Sequence, residues 1–138
     1  MDTKFSVAVH MLILISESQT PINSEQMAGS VGTNPSYIRK ISALLKKAEI
    51  IDSHKGISGC SLCVEPEKLS LLTIYKAVAD EPEIHLLDIH QNSSDQCIVG
   101  RYIKPVLTDM FADIEECFAR SLSEITLADC IDNIRKRL

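Results

Sequence analysis

With 138 residues, 45% of them hydrophobic, the chain has enough apolar mass for one packed domain or a small domain with a helical arm, and this composition excludes disorder. The formal charge of −5 argues against a basic coat, yet it is uneven: residues 1–65 are net neutral and residues 66–138 carry the whole deficit. The longest apolar run, Val7 to Ile15, is broken by His10 and is too short for a bilayer, which takes ~20 residues. Asp2 sits where a signal peptide is basic and no small-residue cleavage site follows, so the expected location is the cytoplasm.

Asp2 or Thr3 can cap a first helix reaching about Glu17, with Phe5, Val9, Leu12 and Ile13 at helical spacing and Ala8 and Leu14 widening the apolar stripe. Ser18-Gln19-Thr20-Pro21 breaks it. Asn23, with Gln26 three residues on, has the spacing of a capping box and starts a short second helix ending near Val31 at Gly32. Asn34 then caps a third helix, with Pro35 at its first position, where a missing N–H costs nothing. Ile38, Ile41 and Leu45 form its apolar row. The other face gathers Ser36, Tyr37, Arg39, Lys40 and Lys47, and residues 34–55 are locally basic. Two short helices joined through a glycine, the second with donors of long reach at its start, predict a helix-turn-helix whose second helix enters a DNA major groove. A solvated basic face is the plainer alternative.

After Lys47 the periodicity becomes alternating. Ile51 to Ser53, a turn over Lys55-Gly56-Ile57-Ser58-Gly59, and Cys60 to Val64 predict a β-hairpin. Its glycine-flanked lysine is the chemistry of a wing on a phosphate backbone or minor groove. Pro66 ends the hairpin, and Leu69, Leu72, Ile74, Tyr75 and Val78 mark a fourth helix closing at Asp80-Glu81-Pro82. Residues 83–96 read as a connecting loop. From Val99 a long helix carries Ile103, Leu107, Met110, Phe111, Ile114, Phe118 and Leu122, and Pro105 requires either a start near Lys104 or a bend. Thr126 caps a last helix with Leu127, Ile131, Ile134 and Leu138 on one side. The long stripe exceeds what a lone arm can leave in water, and the simplest partner is the same helix of a second copy, through Leu107, Met110, Phe111, Ile114 and Phe118.

The five cysteines, Cys60, Cys63, Cys97, Cys117 and Cys130, form an odd set without a disulfide framework. Cys60-Ser61-Leu62-Cys63 is a C-x-x-C in form, but on a strand residues i and i+3 face opposite ways. A redox pair or a zinc site with His54 is therefore not expected, and Cys63 should pack inward. A Cys–His hydrolase built on Cys97 with His85 or His90 lacks an oxyanion donor and a third orienting group, and no enzyme is expected. Cys97 is the candidate sensor. Asp95 would raise its pKa, while Arg101, Lys104 and the helix start would lower it.

Lys4-Phe5-Ser6-Val7-Ala8-Val9-His10, Asn34-Pro35-Ser36-Tyr37-Ile38-Arg39-Lys40, Ser53-His54-Lys55-Gly56-Ile57-Ser58-Gly59, Cys97-Ile98-Val99-Gly100 and Ile125-Thr126-Leu127-Ala128-Asp129 together resemble the Rrf2-type winged-helix transcriptional regulators of bacteria, over nearly the whole chain. The resemblance implies a homodimer on a palindromic double-stranded DNA operator, with the long helix as seam and the Cys97 segment as sensor. The chain departs from the family pattern at the wing, where Lys55-Gly56 replaces an Arg-Gly and Gly59-Cys60-Ser61 replaces a Gly-Gly pair. Lysine keeps the charge and loses the guanidinium fork. Iron–sulfur members carry three cysteines before the dimer helix where this chain has Cys97 alone, and one thiolate does not hold a cluster, so no cofactor or metal is expected. The fold expected is mainly α: a winged helix-turn-helix over residues 1–80 with Ser36, Tyr37, Arg39, Lys40, Lys46, Lys47, Lys55 and Gly56 on DNA, a connecting sensor loop over 81–98, and dimerisation helices over 99–138. The expected activity is sequence-specific regulation, as a repressor, with redox response through Cys97. The competing class is a winged-helix module that binds protein, which the net charge favours.

Overall fold

The computed structural model describes residues 2–53 and 59–138, and the wing tip expected at Lys55 and Gly56 lies outside them. Among the described residues, six helices and one hairpin follow in chain order: α1 (Lys4–Glu17), α2 (Ser24–Val31), α3 (Pro35–Lys47), β1 (Ile51–Ser53), β2 (Cys60–Leu62), α4 (Leu71–Ala79), α5 (Ile98–Ser123) and α6 (Leu127–Arg135), with a 3₁₀ turn at Pro66–Lys68. The molecule is mainly helical with a two-stranded antiparallel wing, as the sequence predicts.

Local chemistry accounts for the boundaries. Asp2 caps α1 from outside, its Oδ1 accepting from Lys4 N at 2.6 Å, while Thr3 makes no side-chain cap. Both capping boxes form: Asn23 and Gln26 exchange bonds of 2.9 Å, and Thr126 and Asp129 exchange bonds of 2.9 and 3.2 Å, each cap contributing about 1 kcal/mol. Gly32 ends α2 at φ 84°, a left-handed position that lets the chain turn sharply into α3. Glu49, also left-handed at φ 61°, closes α3 so that Ile50 N reaches Leu45 O at 3.0 Å and both Ile50 and Ile51 turn inward.

The core lies where α1, α3 and α4 meet. Ala8, Met11, Leu12 and Ile15 of α1 are buried with Met27 and Ala28 of α2, Ile38, Ile41 and Leu45 of α3, and Ile74 and Val78 of α4. The rings of Phe5, Tyr75 and Phe118 form an edge-to-face chain with centroids 5.4 and 5.5 Å apart, which moors α5 to α4 and α1. Leu69, expected inside the fourth helix, is instead a buried residue of the segment between the 3₁₀ turn and α4, because Ser70 takes the N-cap and its Oγ accepts from Thr73 N.

The last helix does not extend the arm. Leu71 N donates to Ile125 O and Leu127 N to Leu69 O, each at 2.8 Å, so residues 125–127 pair with residues 69–71. Leu127 and Ile131 enter the same core as α1, and Arg135 holds Glu17 at 2.8 Å. Helix α6, expected among the dimerisation helices, packs against α1 and the 3₁₀ turn through Leu127 and Ile131. Pro105 neither starts nor interrupts α5, which is continuous from Ile98 to Ser123.

Candidate nucleic-acid interface

Asn34 Oδ1 accepts from Tyr37 N at 2.9 Å and Pro35 occupies the first turn, fixing where α3 begins and which face looks outward. Ile38, Ile41, Ser42 and Leu45 point into the body, while Ser36, Arg39, Lys40, Lys46 and Lys47 are exposed on α3. Tyr37 is half-buried and leans on the core. Arg39 lies 3.5 Å from Ser36 Oγ and 4.0 Å from Glu25, a loose pair that DNA can outcompete. Lys47 is differently placed from the others: its Nζ is held at 2.9 Å by Asp80 at the far end of the helix. Lys40 and Lys46 have no ion-pair partner among the described residues. The outward set at the start of α3 is therefore compact and cationic.

Behind α3 the hairpin pairs Ile51 with Leu62 and Ser53 with Cys60. Cys60, Leu62 and Val64 contact the core, so the alternation turns Cys63 outward. The inward packing expected for Cys63 belongs instead to Cys60, two residues from Leu62 on the same face. Burial pushes the Cys60 thiol up, with Lys46 opposing. Gly59 fixes the root of the wing. Its φ is 128°, and a Cβ there would stand 2.7 Å from Pro21 Cβ and 2.9 Å from Ile22 N. Only glycine lets β2 rest against the segment linking α1 to α2, where Ile22 and Cys60 form a bridge.

Cys97 is the N-cap residue of α5 and is exposed. The backbone N–H groups of Gly100 and then Val99 hold its thiol below the usual cysteine range. The Arg101 guanidinium donates to Asp95 O at 2.9 and 3.0 Å, which ties the residues before the helix to its first turn. The loop before α5 doubles back over the helix start: Ser93 Oγ donates to Gly100 O at 2.7 Å, and a Cβ on Gly100 would collide with the Ser94 carbonyl. Further along α5, the half-buried Glu115 carboxylate accepts from the amides of Leu86 and Leu87 and ties the connecting loop to the helix. Next to it His85, hydrogen-bonded to Asp88 at 2.6 Å, has its pKa raised by that bond.

Helix α5 has two apolar rows rather than one. Leu107, Phe111 and Phe118 are half-buried, and the Phe118 ring packs on Tyr75 of the same chain. Met110 and Ile114 belong to a separate exposed row with Ile98, Val99, Tyr102 and Val106, each at least 50% exposed. Sequence reading passed over Tyr102 and Val106, although their spacing of four from Met110 and Ile114 was visible.

The chain matches the sequence profile of the Rrf2 family, described as iron-dependent transcriptional regulators, over residues 1–133. The chain belongs to the Rrf2 family. It is 35% identical over 134 residues to YwnA of Bacillus subtilis (strain 168), a proposed HTH-type transcriptional regulator, covering 97% of this chain and 98% of YwnA. Among solved structures, a proposed DNA-binding protein superposes with a TM-score of 0.77 at 34% identity, over 93% of this chain and 98% of that one. A proposed transcriptional regulator from Lactobacillus plantarum superposes with a TM-score of 0.80 at 25% identity, over 98% and 91%. The protein is thus an Rrf2 transcriptional regulator with a DNA-binding winged-helix fold. No helix among the described residues is long and apolar enough to cross a membrane.

The iron dependence in the family's description raises the question of a metal-binding set. Cys97 is an exposed thiol that accepts from the amides of Gly100 and Val99, and no three His, Cys, Asp or Glu among the described residues are placed to hold a metal. This donor set does not fit an iron–sulfur cluster within one chain.

Proposed function

We propose that the protein is a cytoplasmic, sequence-specific repressor that acts as a homodimer on a palindromic operator. Ser36, Tyr37, Arg39 and Lys40 read bases, and Lys46, Lys47, Lys55 and Gly56 contact the backbone. The dimer forms along α5, through Met110 and Ile114 at the centre of the exposed row and Leu107, Phe111 and Phe118 at its edge. What supports this reading is the pairing of two features in one fold: a capped helix start with an exposed cationic face, and an apolar row on α5 that stands at least half exposed. Two-fold symmetry along α5 would present two copies of α3 together.

Half-sites should then lie one helical turn apart, ~10 base pairs, or a multiple of it. In gel shifts on the DNA upstream of its own and adjacent genes, Lys40→Ala should relax sequence preference, by about 1–3 kcal/mol of discrimination at the position it reads. Lys55→Ala should weaken all sequences alike and reduce the salt slope by about one. Equal binding of every sequence by the parent protein would exclude specific readout and leave a protein-binding module.

Cys97 is proposed as the signal-receiving thiol. Its thiolate can displace hydroxide from a peroxide, the sulfur losing two electrons to become a sulfenic acid as the O–O bond breaks. The added polar volume would stand at the start of α5, beside the loop folded against Gly100, and would move that loop relative to the proposed dimer seam. Mild peroxide should change operator affinity of the parent severalfold and leave Cys97→Ser unchanged. An equal response in both proteins would remove Cys97 from the mechanism.

A further inference from the structure

Among the inward residues of α3, Ser42 stands out. It is 5% exposed in a row otherwise made of Ile38, Ile41 and Leu45, and its Oγ has no hydrogen-bond partner among the described residues. A buried hydroxyl left unpaired costs about 1–3 kcal/mol, and an alanine would fill the same place without that cost. Ser42 also forms part of the wall of a cleft of about 340 Å³ between α2, α3 and the root of the wing. Two cations of α3, Arg39 and Lys46, stand on its rim, with Ser24, Ser53 and the half-buried Cys60 around it. The start of α2 opens onto the same space. Asn23 already caps Gln26, which leaves the Ser24 and Glu25 amides as the positive end of that helix. The one carboxylate on the wall, Glu25, lies 4.0 Å from Arg39 and is 70% exposed, so it can swing into solvent.

We infer that this cleft is an oxyanion site, in which a phosphate or carboxylate group accepts from the Ser42 hydroxyl after a rotamer change and is held by Lys46, Arg39 and the first amides of α2. The inference rests on the proposed DNA-binding role only for one of its two sources of anion, a backbone phosphate of the operator. The other source is a free small anion. An occupant from either source bridges α3 and the start of α2, beside the root of the wing, and so sets the spacing of the two helices.

The test uses the full chain. Amide chemical shifts are followed while inorganic phosphate is added at constant ionic strength against chloride, and operator binding is measured in parallel for the parent, Ser42→Ala and Lys46→Gln. Ser42→Ala removes an unpaired buried hydroxyl from a helix and should fold at least as well as the parent. If free phosphate is the ligand, the Ser24, Glu25 and Ser42 amides shift saturably, both variants bind it roughly 10-fold more weakly, and phosphate competes with operator. If the backbone is the source, phosphate alone shows no saturation, while both variants lose roughly 10-fold in operator affinity on every sequence and Lys46→Gln reduces the salt slope by about one. No saturable phosphate shift together with unchanged operator binding by Ser42→Ala overturns the site. Failure of the parent to bind any DNA would overturn the operator reading instead, and the phosphate titration would then decide the cleft by itself.

Discussion

Replacing Gly59 with alanine is expected to unfold the winged-helix body at temperatures the parent tolerates. The backbone there has φ 128°, and the new Cβ would lie 2.7–2.9 Å from atoms of Pro21 and Ile22, two of them backbone atoms that cannot rotate away. Strain of this kind costs about 1–3 kcal/mol, and the collision adds to it unless β2 detaches from the bridge at Ile22. A combined loss of more than about 4 kcal/mol is a large share of the 5–15 kcal/mol typical of a domain and should lower the melting temperature by more than ~10 °C. Gly29 is the internal control: it lies within α2, a Cβ there meets nothing within 4 Å, and Gly29→Ala should stabilise by about 0.5–1 kcal/mol. A loss below ~1 kcal/mol in Gly59→Ala would show that the wing root can slide, and that the Pro21 contact does not fix it.

A single aspartate at Met110 is expected to convert the proposed dimer to monomers without disturbing the fold. Met110 is 55% exposed, so in the isolated chain the carboxylate would face water at little cost. In a two-fold contact along α5 it would face an apolar row and, near the axis, its own copy. Burying unpaired charge there costs several kcal/mol, or at least ~100-fold in the dimer dissociation constant at 1.4 kcal/mol per tenfold. Sedimentation velocity should show half the parent mass while the thermal melt of the monomeric body persists. Phe111→Asp is a poorer test, since Phe111 is half-buried and its loss would disturb the chain itself. Parent and Met110→Asp sedimenting at one mass would place the seam elsewhere.

The sequence made the helix starts legible because side chains announce them: Asn23, Asn34 and Thr126 cap where their spacing to the next polar group says they should. The turn at Gly32 and the wing strands were equally readable, since glycine and alternation leave local signatures. What it hid was relational. Whether Cys60 or Cys63 faces inward depends on strand register, which the pattern of a three-residue strand does not fix. That Lys47 pairs with Asp80 at the surface depends on where α4 ends in space. Most of the apolar residues of α5 were legible, Tyr102 and Val106 excepted, but their division between the Tyr75 side and the open side required knowing that α4 covers one of them. Ser42 was invisible for the opposite reason: a serine within a helical pattern gives no sign of being buried unpaired.

The stitching of residues 125–127 to residues 69–71 has a bearing on how the regulator comes into being. Leu127 and Ile131 are core residues, so a nascent chain that has emerged only as far as α4 lacks two of the side chains that close its interior. Domains usually complete themselves from the N-terminus as synthesis proceeds. Here the head must wait for the whole of α5 to pass and for α6 to return. The order of manufacture thereby couples the two halves: a chain that can grip DNA has already made the helix by which it would find its mate, and a fragment terminated early would enter the cell as a substrate for proteolysis rather than as a monomeric competitor for the operator.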